Sequence, residues 1–164
     1  MGHRLHGNFY TNEVCKSATA ARLGIDNTPT DDALTAAYGL ARNVLQPIRN
    51  HFGVPFAPQS WYRCEMLEWV ICAKSYAKWH KACGYAQSSE SWKLYYRLKQ
   101  HPKGCAADIE IATVSNDELF NFIKANLQFD QLIREYAVAD DPYSGWVHVS
   151  WLPAGNRNEV KHIK

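Results

Sequence analysis

Apolar residues recur at helical spacing through the first half of this chain and alternate in strand fashion only from about residue 105 onward. That division limits the class of fold more than any other feature. From Thr30 or Asp31 to about His51, the residues Leu34, Tyr38, Ala41, Leu45, Ile48 and Phe52 form one helical stripe. Asp31 and Asp32 suit the positive N-terminal end of that helix, and Gly53 suits its stop. Pro47 lies inside the stripe and predicts a kink, or an early end near Gln46. A second helix is expected over 65–83, through Met66, Leu67, Val70 and Ile71, with Gly84 as its stop. Val54 to Ser60 reads as a short strand or extended run interrupted by Pro55 and Pro58, and residues 84–100 carry no clear period. Cys105 to Ala112 sets Ala107, Ile109 and Ile111 against Asp108 and Glu110, the alternation of a strand. Ser115-Asn116-Asp117-Glu118 is a capping box that opens a helix to about Asn126. Phe129 to Tyr136 and Trp146 to Trp151 read as two more strands, joined by a loop with Asp140, Asp141, Pro142 and Gly145. The expected fold is α+β, a small antiparallel sheet flanked by helices, with the last two strands as a hairpin.

A chain of 164 residues has room for one domain, 1–164. The net charge of +2 is too small to imply a nucleic-acid partner. No apolar run approaches the ~18–20 residues that span a bilayer, so no membrane partner is expected. Met1 to Asn8 contains no apolar core of the ~7–15 residues a signal peptide needs, so synthesis in the cytoplasm is expected. The five cysteines, Cys15, Cys64, Cys72, Cys83 and Cys105, lack CxxC spacing and read as reduced core thiols.

Chemistry concentrates on three residues. His101 opens the run His-Pro-Lys-Gly-Cys-Ala-Ala-Asp, in which Gly104 permits a tight turn and Asp108 points off one face of an apolar strand. His148 lies in Trp-Val-His-Val-Ser, where Trp146, His148 and Ser150 share a face. If the two strands join in one sheet, two imidazoles and a carboxylate converge, a donor set that suits zinc with one position left open. Each residue also has a plainer reading: a lone His is commonly a packed or surface side chain, and a lone Asp on a strand is commonly solvated or ion-paired.

His101-x-x-Gly104-x-Ala106-x-Asp108, followed much later by Trp146-Val147-His148, resembles the zinc signature of the D-alanyl-D-alanine carboxypeptidases and L-alanyl-D-glutamate endopeptidases. These bacterial and phage enzymes cut peptidoglycan stem peptides and share their fold with the hedgehog signalling domain. The resemblance extends to Ala20–Pro29, to Val44-Leu45-Gln46-Pro47-Ile48-Arg49, to Ser60-Trp61-Tyr62-Arg63-Cys64 and to Phe129–Glu135, in the family's order. It implies a hedgehog/DD-peptidase-like fold and one Zn2+ per chain, held by His101, Asp108 and His148. It implies Glu135 as general base, taking a proton from water that the metal acidifies to a pKa of roughly 7 and passing it to the leaving amine. Asp140 and Asp141 are reserves for that role, and Asp130 reads as structural. Arg63, in the Tyr-Arg turn, is implied to bind a substrate carboxylate, with pairing to Glu65 or Glu68 as the alternative.

Two features depart from the family. Lys99 stands where the family has Ser, and residues 65–99 form an atypical insert rich in aromatics. That insert reads either as an extra helix packed on the core or as a wall over the cleft that sets substrate choice. His51, His80 and His162 lie outside any motif, and His3 and His6 read as part of a flexible terminus. The expected function is zinc-dependent hydrolysis of peptidoglycan stem peptides by a monomer, in the manner of a phage endolysin or a virion-borne wall hydrolase. It would reach the wall after lysis, holin release or virion delivery. The alternative is a non-catalytic, zinc-containing binding module of the same fold. A nucleic-acid binder, the third class, has only scattered aromatics behind it.

Overall fold

A computed structural model describes residues 2–164, and it shows an α+β protein built on a four-stranded sheet. In chain order come β1 (Arg4–His6), β2 (Phe9–Tyr10), α1 (Thr11–Val14), α2 (Ala18–Leu23), α3 (Asp31–Leu40), a π-helical turn (Ala41–Leu45) and α4 (Gln46–Phe52). These are followed by α5 (Glu65–Ala82), α6 (Ser89–Arg97), a 3-10 turn (His101–Lys103), β3 (Ala106–Ile109), α7 (Asn116–Asn126), β4 (Gln131–Glu135), β5 (Trp146–Ser150) and β6 (Glu159–Ile163).

The helical stripe from residue 31 to 52 does not end at Pro47. It passes through the π turn, where the Gln46 N–H reaches back to the Ala41 carbonyl. The wider turn accommodates a proline whose ring would otherwise crowd the Asn43 carbonyl and which has no N–H to offer it. Thr30 Oγ1 accepts the Ala33 N–H at 3.2 Å and starts α3. Ser115 Oγ accepts the Glu118 N–H at 3.1 Å and starts α7. The segment without a clear period contains α6, opened by Ser88, whose Oγ accepts the Ser91 N–H at 3.2 Å.

The sheet runs β3-β5-β4-β6. β3 and β4 both pair antiparallel with the central β5, as the expected hairpin requires. β6 then adds parallel to β4, so the four-stranded sheet is mixed rather than purely antiparallel. A separate antiparallel pair, β1–β2, orders the N-terminal segment, and His6 packs edge-on against Tyr38 at 5.3 Å. The reading of this segment as a flexible terminus is therefore corrected. The expected strand over 54–60 is reduced to its last residue: Ser60 bridges Asp108, while the preceding prolines offer no N–H to a ladder.

Strand alternation gives the sheet two unlike faces. Ala107, Ile109, Leu132, Val147 and Val149 face the core, against Leu40, Val44, Ile48, Leu119 and Ile123 of the helices. Each fully buried Val, Leu or Ile side chain of this set contributes about 1.5–3 kcal/mol. Arg134, 2% exposed, also lies on this side, and its Nε–H donates to Asp117 of α7 at 2.9 Å. The opposite face carries Asp108, Gln131, Ile133, Glu135, Trp146 and His148. Residues 65–99 stand apart as a helical hairpin with an aromatic cluster of its own around Tyr76, Trp92 and Tyr95. All five cysteines are free thiols, as expected; Cys105 is buried, Cys64 and Cys72 are half-buried against the two hydrophobic clusters, and Cys83 departs from the core-thiol reading by being exposed.

Candidate metal centre

The register of the sheet assembles the site. Asp108 of β3 sits directly across from His148 of β5. His101 enters from the 3-10 turn ahead of β3, where two devices hold it. The Trp61 carbonyl accepts the His101 Nδ1–H at 2.7 Å, and the Trp61 Nε1–H donates to the Gly104 carbonyl at 3.0 Å. Gly104 turns with φ at 74° against α3, and a Cβ there would overlap the Ala33 carbonyl, so the turn requires glycine.

With Nδ1 committed to Trp61, His101 turns Nε2 inward. His101 Nε2, Asp108 Oδ1 and His148 Nδ1 form a triangle with edges of 3.2, 3.2 and 2.9 Å, and all three residues are buried. A tetrahedral metal with bonds near 2.0–2.1 Å sets its ligands about 3.3 Å apart, so the triangle needs only a slight expansion to hold one. The donor set of two imidazole nitrogens and one carboxylate oxygen can hold a metal ion and leaves further positions free.

Electrostatics favour the ligand states. Burial pushes the His101 pKa down, only partly offset by Asp108, so the imidazole stays neutral. Arg63 secures the second carboxylate oxygen: its guanidinium reaches Asp108 Oδ2 at 2.5 Å, its Nε–H donates to Ser60 at 2.8 Å, and Glu68 lies 3.5 Å from its third nitrogen. Glu68 is 1% exposed and also accepts the Cys72 thiol at 2.9 Å.

The triangle lies in a cleft of about 440 Å³ whose lining includes Arg63, Lys99, Gln100, Glu135, Tyr136 and Trp146. Glu135 shares its strand face with Ile133, the β4 neighbour of His148, and so looks onto the same cleft. Its pKa is raised by burial first and by the Asp108 charge second. Gly145 lets the chain close against this residue, because a Cβ there would run into the Glu135 carbonyl. Asp140 and Asp141 lie on an exposed turn away from the cleft lining. Asp130 is buried and paired with Arg157 through two contacts of 2.7 Å. His51 stacks on Phe122, His80 faces the Tyr85 carbonyl and His162 leans on Phe120, so none joins the centre.

Helix α5 answers the question about residues 65–99: Glu68, Ile71, Cys72 and Ser75 form one wall of the cleft. A larger open groove of about 750 Å³ runs along the other side of the hairpin, past Met66, Trp69 and Trp92, and contains none of the three candidate metal ligands. The supporting residues Gln100, Glu68 and Trp61 carry no spacing signal of their own, although Trp61 lies within the Ser60–Cys64 block. Comparison with protein-family models, with curated proteins and with solved structures finds no match to this chain.

Proposed function

We propose that the chain is a zinc peptidase that hydrolyses peptide bonds in peptidoglycan stem peptides. It would act as a D-alanyl-D-alanine carboxypeptidase or an L-alanyl-D-glutamate endopeptidase of hedgehog/DD-peptidase-like fold, working as a monomer on the cell wall after lysis or virion delivery. The observation that carries this reading is the buried His101–Asp108–His148 triangle, open to a cleft in which Glu135 stands on the same sheet face. Zinc bound there would supply a Lewis acid that activates water and polarises a peptide carbonyl. Glu135, its pKa raised toward the working range, takes the proton of the attacking water and passes it to the leaving amine.

Arg63 and Lys99 give the cleft its positive charge for a substrate carboxylate. Arg63 donates to Ser60 and Asp108 and faces Glu68 only as an ion pair at 3.5 Å, leaving three of its five donors for a ligand. Lys99 has no carboxylate within ion-pair distance among the described residues, and its ammonium rests 4.1 Å from the centre of the Tyr95 ring. Together they can clasp the carboxylate of a terminal D-alanine or of D-glutamate.

Digestion of purified peptidoglycan, with products read by mass, tests the reading. Chelator-sensitive release of D-alanine identifies a carboxypeptidase, and chelator-sensitive cleavage between L-alanine and D-glutamate identifies an endopeptidase. Glu135→Gln is expected to keep its zinc and lose about 10²–10⁴-fold in rate. Zinc bound with no cleavage by the parent protein would instead mark the non-catalytic binding module.

A further inference from the structure

His148 reaches the triangle through Nδ1, and its other nitrogen has a partner that no motif points to. His148 Nε2 lies 3.1 Å from Gln100 Oε1. The amide of Gln100 cannot turn over freely, because its Nε2–H donates to Asp130 Oδ2 at 2.6 Å. An ionised carboxylate only accepts, so the amide nitrogen must face Asp130 and the amide oxygen must face His148. Asp130 is in turn clamped by Arg157, through Nε to Oδ1 and a terminal nitrogen to Oδ2, each at 2.7 Å. The Arg157 contact, outweighing burial, holds the Asp130 carboxyl below its usual range and keeps it the acceptor this chain of bonds needs.

We propose that Gln100, anchored by Asp130 and Arg157, is a positioning residue that accepts the His148 Nε2–H and thereby presents the Nδ1 lone pair to the metal. The inference rests on the metal centre described above. His101 is set in the opposite sense, its Nδ1–H given to the Trp61 carbonyl and its Nε2 left as ligand. In these tautomers the triangle brings together lone pairs that a metal ion satisfies. A hydrogen-bond acceptor behind a ligating imidazole fixes its ring and strengthens it as a donor, and loss of such a partner costs about 10–100-fold in metal affinity. The relay crosses the fold, from the end of the helical hairpin (Gln100), through the residue ahead of β4 (Asp130), to the loop ahead of β6 (Arg157). It therefore ties the metal site to the C-terminal edge of the sheet.

The test is zinc affinity by chelator competition, together with the imidazole N–H spectrum of the zinc-loaded protein. The parent should show a His148 Nε2–H protected from exchange with water. Gln100→Met fills the same space without an acceptor and should lose about 10–100-fold in zinc affinity together with that protection. Arg157→Gln, on a half-exposed side chain outside the cleft, should lose a smaller part of both, and it decides the matter if Gln100→Met fails to fold. Unchanged zinc affinity, or a His148 Nε2–H that stays protected without Gln100, overturns the relay. A parent protein that takes up no zinc overturns the metal centre itself, which is a different failure from parent and variant binding zinc equally.

Discussion

At the scale of the residue, the roles in this cleft follow from what each polar group is already committed to. Asp108 spends one oxygen on Arg63 and offers the other, and His101 spends one nitrogen on Trp61 and offers the other. Glu135 spends none: no hydrogen bond or ion pair engages its side-chain oxygens among the described residues, and burial together with the Asp108 charge makes ionisation costly. In the proposed hydrolysis its working form is the carboxylate, so cleavage should rise with pH as Glu135 loses its proton. Because its pKa is raised, the acid limb of kcat/KM should lie above the ordinary glutamate value of about 4.3. A pH profile measured on a defined stem peptide checks this, and a limb at or below that value would remove Glu135 from the role. The three candidate ligands and Glu135 were legible in sequence through their flanking residues. Gln100 was not, because its function depends on an acceptor orientation imposed by Asp130, thirty positions away in the chain.

At the scale of the element, the long helical stripes and the three core-facing strands announced themselves by period. The short elements did not. β1 and β2 have only three and two residues, and β6, as long as β4 and β5, is largely exposed, so no clean alternation marks them. Helix α6 was missed because most of its residues are polar or aromatic and its buried set is small: Ser91, Trp92 and Tyr95. These residues close the hairpin with α5, where the Tyr76 hydroxyl and Ser91 Oγ lie 2.6 Å apart and the Trp92 Nε1–H donates to Glu65 at 2.9 Å. Because this cluster is separate from the main core, Trp92→Ala should cost about 3–5 kcal/mol, and that loss should fall on the hairpin. Hydrogen exchange should show the amides of α5 and α6 losing protection while β4 and β5 keep theirs. Equal loss in both regions would show that the hairpin and sheet unfold as one unit.

At the scale of the whole molecule, the candidate metal centre joins parts far apart in sequence: a turn at His101, β3 at Asp108 and β5 at His148. A metal bound only by the folded chain stabilises it by mass action, about 2.7 kcal/mol at 100 times its Kd. Each kcal/mol raises Tm by about 2–4 °C in a chain of this size, so zinc should raise the melting temperature measurably and a chelator should reverse the rise. A Tm indifferent to zinc would show that the triangle does not bind it. No helix among the described residues is long and apolar enough to cross a membrane. The sequence by itself determined the α+β class, the long elements and the residues with chemistry to offer, because periodicity and side-chain type are local properties. Only the tertiary structure decided that β6 runs parallel to β4, that α5 walls the cleft and that Gln100 stands behind His148. Those outcomes depend on which distant segments meet across the sheet, and no local pattern records that.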